Sequence, residues 1–169
     1  MLPEELQRAR DLLADVTPLC SDCGLICGAT CCRSHPGEQT GMLLFPGEEA
    51  LYADDVSFRM FPTKQGTLLI CSGHCNRANR PLACRMFPLL ILLREDGVKV
   101  AMDAAARAVC PLAKQGKQAL SQTFVARVRE AGKCLAENEK LAAHLALLTS
   151  MQDELHAVRR QYIGGNSDV

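Results

Sequence analysis

Apolar residues recur at helical spacing near both ends of the chain. Over residues 3–17 one helix face collects Leu6, Leu12, Leu13 and Val16, and Pro18 ends the pattern. After residue 117 glycine and proline almost disappear, and two apolar stripes take up a helical period. The stripes are Leu120, Phe124, Val128, Ala131 and Leu135, followed by Leu141, Leu145, Leu148, Met151, Leu155, Val158 and Tyr162. The spacing predicts an N-terminal helix and a C-terminal helical hairpin or bent helix.

Between these helical regions the apolar pattern is that of short strands. Runs rich in β-branched and apolar residues predict strands at 42–45, 56–61, 67–71, 88–94 and 98–102. The last two are joined by Asp96-Gly97, a typical hairpin turn. We therefore predict an α+β fold with short antiparallel strands. Its predicted parts are a cysteine-rich domain over 1–116 with the N-terminal helix, a helical tail over 117–163 packed on it, and a flexible end at 164–169.

Charge and hydropathy exclude two classes of partner. Nineteen basic residues balance nineteen acidic ones, so no positive field would attract nucleic acid in general. The longest apolar run, FPLLILL at 87–93, is far shorter than the roughly 20 residues that span a bilayer. The N-terminus lacks the basic, apolar and small-residue regions of a secretory signal, which predicts a cytoplasmic protein.

The chain has ten cysteines, and the expected reducing compartment makes metal binding or catalysis a better explanation for them than disulfides. Nine of the ten fall in three groups between residues 20 and 110. The groups are Cys20, Cys23, Cys27, Cys31 and Cys32, then Cys71, Cys75 and Cys84, then Cys110. Thiolates are the soft ligands that select zinc or iron–sulfur clusters. Eight ligands would complete two four-thiolate sites or one dinuclear arrangement, and four would complete one zinc site or one [4Fe–4S] cluster, so the count does not choose.

Cys31 and Cys32 are adjacent, and adjacent side chains diverge in both helices and strands. They are poorly placed to bind one zinc ion together. The pair is explained if each serves a different metal, if one multi-iron cluster is held from two sides, or if one thiol is merely buried. A competing interpretation treats Cys23, Cys27 and Cys31 as an apolar helix stripe, but Gly24 and Gly28 disfavour a plain helix there.

Basic residues beside the cysteines would offset the negative charge of several thiolates on a divalent ion. We therefore expect Arg33, Arg80 and Arg85 to surround the bound group, with ordinary surface charge as the alternative. His35 and His74 could replace a thiolate but are better explained as outer or surface residues. His144, on the inner stripe of the tail, is predicted to be a satisfied core histidine.

Four blocks occur in order along the chain: DCGLICGATCCR, GMLLFPGEE, CSGHCNRANRPLACRMFPL and MDAAARAVCPL. Over residues 18–115 this combination resembles the bacterial cysteine-cluster family described as zinc- or iron-chelating proteins of the CxxCxxxxCC type. The resemblance implies that the block from Arg80 to Arg85 wraps around the site. It implies ligand positions at Cys23, Cys31, Cys32, Cys71, Cys75, Cys84 and Cys110. Cys27, and Cys20 as a further candidate, are added by spacing.

The leading hypothesis is a metal-binding protein whose clustered cysteines chelate Zn²⁺, or alternatively an iron–sulfur cluster, with the metal completing a loop-rich fold. The alternative is an iron–sulfur redox or group-transfer enzyme. It is motivated by a related cysteine domain in flagellin lysine methylases, although no glycine-rich loop for S-adenosylmethionine is recognisable here. Thiol–disulfide exchange at Cys20 and Cys23 is a third hypothesis, disfavoured because a thioredoxin-like context is missing. The expected partner is the metal ion, with a protein partner or a homodimer through the helical tail as a further hypothesis.

Overall fold

The structure is a computed structural model that describes residues 1–33, 41–73 and 76–163. Over these residues the chain forms short helices and strands in its first two thirds and two longer helices at its end. The helices are α1 (Glu4–Leu12), α2 (Cys23–Cys27), α3 (Leu82–Met86), α4 (Ala106–Val109), α5 (Pro111–Gln115), α6 (Gln122–Ala136) and α7 (Glu139–Ile163). The strands are β1 (Met42–Leu43), β2 (Phe58–Thr63), β3 (Gly66–Cys71), β4 (Leu89–Arg94) and β5 (Gly97–Met102). The predicted mixture of helices with short strands is therefore confirmed.

The strands form two small antiparallel sheets. One sheet has the order β1-β3-β2, and the other is the β4-β5 hairpin. Arg94 pairs with Gly97, so the hairpin turn occupies residues 95–96, one position earlier than the predicted Asp96-Gly97. Gly97 follows the turn with φ +105°, a conformation that glycine adopts without the steric cost of a Cβ atom. The glycine therefore closes the hairpin from the first position of β5.

One hydrophobic core joins the β4-β5 hairpin to α1, α3, α6 and α7. Its fully buried side chains include Leu6, Phe45, Leu82, Ile91, Phe124 and Leu145. Helix α6 lies close to the hairpin at Gly132, where a Cβ atom would stand 2.7 Å from Ile91 and from Val98. A smaller cluster of Leu44, Tyr52, Phe58 and Leu69 lies on the three-stranded sheet. The predicted helical tail therefore contributes to the same core as the cysteine-rich part, while the division at residue 116 stays a prediction, and residues 164–169 lie outside the described chain.

The C-terminal region consists of two helices, as one of the predicted alternatives required. Ser121 caps α6 by accepting from the backbone N–H of Phe124 at 3.4 Å. The side chain of Asn138 accepts from the N–H groups of Lys140 and Leu141 at 3.1 and 3.3 Å, which starts α7. A polar residue that caps an N-terminus favours a new helix over continuation of the old one. The break between α6 and α7 therefore falls at 137–138.

Helix α7 is fixed to the hairpin by side-chain hydrogen bonds to backbone groups. Thr149 accepts from the N–H of Leu93 at 2.9 Å. Gln152 accepts from the N–H of Ala104 at 3.0 Å and donates to the carbonyl of Met102 at 2.9 Å. These bonds hold the segment that leads from β5 into α4. Among the described helices, none is long and apolar enough to cross a membrane.

The carboxylate of Glu48 is buried at the centre of the molecule. It forms an ion pair with Arg10 of α1, which is buried as well. It also accepts from the backbone N–H of Leu82 at 2.9 Å and of Phe45 at 3.2 Å. Glu48 is the first residue of a 3₁₀ helix over Glu48–Leu51, where an acidic residue is usual on a surface helix, but here the side chain is buried. Glu48 joins α1, the segment after β1 and the start of α3.

Two arginines determine where α1 ends. The sequence pattern predicts a helix to residue 17, whereas α1 ends at Leu12. Arg85 donates to the carbonyl of Arg10 at 3.0 Å, and Arg77 donates to the carbonyls of Ala14 and Val16. Cations at the end of a helix satisfy carbonyls that have no partner within it. The tertiary contacts therefore replace the last turn that the apolar spacing predicts.

We expect Glu48→Ala to lower the free energy of unfolding by about 3–5 kcal/mol, because it leaves a buried guanidinium without its counter-ion. Urea denaturation followed by circular dichroism measures the change. Glu95→Ala, at an exposed position in the hairpin turn, is the matched control and should stay within about 0.5 kcal/mol of the parent. Equal costs for the two variants would contradict a central role for Glu48.

Burial lowers the pKa of His144, whose ring packs edge-on against Phe45 with centroids 4.9 Å apart. The ring is buried as predicted. Its Nε2 atom has no hydrogen-bond partner in the described part of the chain, so the predicted hydrogen bonding of this core histidine is not complete. Because the unfolded chain takes up this proton first, stability should fall as the pH drops below about 6.5.

We expect His144→Leu to reduce the loss of stability between about pH 7 and about pH 5 relative to the parent chain. The free energy of unfolding of both proteins is compared at each pH, which cancels every titration that they share. Leu155→Ala, at an exposed position of the same helix that carries no titratable group, is the control and should keep the parent's pH dependence. The same slope in the parent and in His144→Leu would show that burial of this ring does not govern the acid sensitivity.

Candidate metal centre

The first cysteine segment folds as a short helix followed by a tight reversal. Asp22 caps α2 by accepting from the N–H of Gly24 at 2.9 Å, and α2 carries Cys23 and Cys27 one turn apart. Residues four apart in a helix lie on the same face. Gly28 and Ala29, with φ +64° and +54°, then turn the chain into a 3₁₀ turn over Thr30–Cys32. This reversal brings Cys31 and Cys32 to the same region as α2.

The other cysteines reach this region from three separate elements. Cys71 is the last residue of β3, and Cys84 lies in α3. Cys110 stands between α4 and α5, where it ends one helix and precedes the proline that starts the next. Each of these elements is positioned by a different contact. The sheet order places β3, the contact with Glu48 places α3, and the contacts of α7 before α4 place the α4–α5 junction. The fold therefore brings cysteines that are distant in sequence close to the first cysteine segment.

Five thiols line one small cavity of about 80 Å³. They belong to Cys23, Cys27, Cys31, Cys84 and Cys110. A second cavity of the same size is lined by Cys31, Cys32, Cys71 and Cys84. Each is much smaller than the roughly 300 Å³ at which sites for organic ligands begin. These two volumes suit ions better than substrates.

A third, more open cavity of about 340 Å³ adjoins the first two. Its wall includes Cys31, Cys32 and Cys84 together with the carboxylate of Asp103. Burial raises the pKa of Asp103, and the N–H groups of Ala105 and Ala106 oppose that shift. Arg80 lines all three cavities, as do Cys31 and Cys84. The three volumes are thus parts of one thiol-lined region.

Two of these thiols resist ionisation. Burial raises the pKa of Cys23, and the charges of Cys27, Asp22 and Cys110 add to the shift, while Arg80 lowers it. For Cys31 the hydrogen bond with Cys32 is the largest cause of a strongly raised pKa, followed by burial and the charges of neighbouring thiols. The Sγ atoms of Cys31 and Cys32 are 4.0 Å apart. Several thiolates this close need a cation to ionise together.

The segment that carries four of these thiols is poorly anchored by apolar packing. No residue from 19 to 33 is buried. Leu25 and Ile26 of α2 are 85% and 68% exposed, although Ile26 borders the first cavity. The local bonds of Thr17, Asp22 and Thr30 hold the backbone shape, but they bury no side chain. The segment has little hydrophobic energy of its own to hold it in place.

The three arginines expected around the site differ in position. Arg80 lines the shared wall. Arg85 borders the first cavity, but its guanidinium donates to the carbonyls of Arg80, Arg10 and Ala78 at 2.8–3.0 Å. Arg33 is exposed, and its guanidinium covers Gly28, where a Cβ atom would approach Nη2 to 2.7 Å. Arg80 alone of these three is in a position to offset thiolate charge in every cavity.

The remaining candidates fall outside the cavities or outside the described chain. Cys20 is exposed and lines none of the three volumes. Cys75, His35 and His74 lie outside the described residues. Asp22 and Asp103 border the region but were not candidates from the sequence. Asp22 had a recognisable signal, since an aspartate two residues before a glycine at a helix start is a typical N-cap.

The chemistry of the donors fits a soft metal ion, because seven thiols converge and thiolate selects zinc, copper(I) or iron–sulfur clusters. As the side chains lie, no three cysteine, histidine or carboxylate groups within 1–33, 41–73 and 76–163 form a ready metal-binding group. Binding would therefore require the thiols to move closer together. The exposed segment 19–33 is the part of the region that can make this movement without disrupting buried packing.

Comparisons with protein-family models, with curated proteins and with solved structures found no match. The resemblance to the cysteine-cluster family consequently stays a prediction.

We expect Cys31 to react more slowly than free cysteine with iodoacetamide at about pH 8 in reduced, metal-free protein, because its pKa is raised and thiolate is the reactive form. Cys32→Ala should speed alkylation of Cys31 several-fold, since it removes the hydrogen bond and the neighbouring charge that raise the pKa of Cys31. Peptide mass mapping over time gives both rates, and Cys134→Ala serves as a control at a distant thiol. An unchanged Cys31 rate in Cys32→Ala would contradict the coupling between the two thiols.

Proposed function

We propose that the chain is a metal-binding protein that holds zinc, or an iron–sulfur cluster, with thiolates from its clustered cysteines. One observation carries the proposal: seven cysteines from five separate elements line one continuous region of the described fold. Chance clustering of buried apolar thiols explains this poorly, because these seven are only partly buried or exposed, whereas Cys134 in α6 is buried.

The metal would complete the fold of the cysteine-rich part. Segment 19–33 buries no side chain, yet it supplies Cys23, Cys27, Cys31 and Cys32. Bonds from these thiols to an ion would attach the segment to α3, β3 and the α4–α5 junction, which the core already fixes. Structural metal sites contribute folding free energy in this manner. Arg80 would reduce the net negative charge of the thiolates.

A reducing compartment keeps thiols available for metal, so the proposal includes a cytoplasmic location. It also agrees with the resemblance to the cysteine-cluster family, which implies six of the same positions. Zinc and iron–sulfur remain the two alternatives, because thiolate ligands suit both. The small size of the first two cavities favours a bound ion as the main ligand over an organic substrate.

The test is elemental analysis of the full chain, freshly purified without oxygen, together with its visible spectrum. We expect stoichiometric zinc or iron; visible absorption would accompany iron, whereas zinc has a filled d shell and gives none. Cys84→Ser should lose bound metal, since it removes a thiol that belongs to both small cavities. Cys134→Ala, which removes a buried thiol distant from these cavities, should retain the full content.

Protein that contains neither metal, and whose thiols all titrate freely in the native state, would refute the proposal. Equal metal content in Cys84→Ser and Cys134→Ala would refute the assignment of the site to this region. Circular dichroism of both variants distinguishes loss of a ligand from loss of the fold.

A further inference from the structure

We propose that the site is dinuclear, with two divalent metal ions that share Cys31 and Cys84. The inference rests on the proposed function and concerns the number and arrangement of the metals. Its basis is the division of the thiols between two cavities of equal size.

The first cavity has three thiols that the second lacks, from Cys23, Cys27 and Cys110. The second has two that the first lacks, from Cys32 and Cys71. Cys31 and Cys84 line both. A mononuclear site would place all its ligands around one cavity. Here the five unshared thiols form two groups, three in the first cavity and two in the second, and the shared pair lies between them.

The number of thiols matches a bridged pair of ions. Two tetrahedral ions that share two thiolates need six sulfur ligands, two terminal ligands on each ion and two bridging ligands. The described residues supply seven thiols in the required division, with one more than needed on the side of the first cavity. A site for one ion would leave three of the seven without a function.

The adjacent pair Cys31-Cys32 follows from this arrangement. Adjacent side chains diverge, and Cys32 lines the second cavity but not the first, while Cys31 lines both. Their sulfur atoms are 4.0 Å apart, so one turn of chain presents a shared ligand and a terminal ligand side by side.

The net charge of such a site supports the same arrangement. Six thiolates on two divalent ions leave a net charge of about −2. Arg80 lines both small cavities and the open one, so this residue stands at the wall common to both proposed ions. One arginine would thus partly neutralise both ions.

The experiment is titration of the reduced, metal-stripped full chain with Zn²⁺ under anaerobic conditions, with native mass spectrometry to count bound ions. We expect two ions for the parent chain and for Cys134→Ala. The double variant Cys23→Ser/Cys110→Ser, which leaves the first cavity one terminal thiol short, and Cys71→Ser, in the second cavity, should each keep one tightly bound ion. Cys84→Ser should weaken binding of both ions, because it removes a shared ligand.

Cadmium NMR of the parent chain provides the second measurement, since two bridged ions give two resonances split by each other. One ion per chain would overturn the dinuclear inference and leave the proposed function standing. No bound Zn²⁺ in the titration, together with no zinc or iron in the protein as purified without oxygen, would overturn both. Two ions with unsplit resonances would overturn the sharing of Cys31 and Cys84, and a four-iron cluster in the protein as purified without oxygen would overturn a site for two divalent ions.

Discussion

The buried carboxylate of Glu48 is the interaction on which the arrangement of the chain depends. It neutralises Arg10 of α1 and accepts backbone hydrogen bonds from Phe45 and from Leu82 at the start of α3. A charge buried this deeply is tolerated because every partner is supplied by the protein. Arg85, five residues after Arg80, in turn binds the carbonyl of Arg10. Helix α3, and with it Cys84, is therefore fixed to α1 by polar contacts as well as by the apolar core.

The candidate site combines one rigid half with one loosely held half. Cys84 and Cys110 belong to elements that the core and α7 hold in place, and Cys71 ends a paired strand. Cys23, Cys27, Cys31 and Cys32 belong to a segment with no buried residue. This contrast suits a site that forms when an ion is bound, because the ion can draw the second half onto the first without disturbing the core.

Sequence reasoning predicted the elements that depend on local pattern. The strands, the β4-β5 hairpin and the two C-terminal helices follow from alternation and helical spacing, which are properties of neighbouring residues. The end of α1 was wrong, because Arg77 and Arg85, more than 60 residues further on, take the carbonyls that a longer helix would use. The burial of Glu48 was missed for the same reason, since its partners are Arg10 and Leu82. Spacing grouped the cysteines, but their division between two cavities depends on where β3, α3 and the α4–α5 junction meet.

If thiolates of this region bind a metal, X-ray absorption at the edge of that metal in anaerobically purified protein will reveal them. We expect sulfur neighbours at about 2.3 Å, the zinc–thiolate distance, with no majority of nitrogen or oxygen ligands. A metal surrounded by nitrogen and oxygen would contradict it.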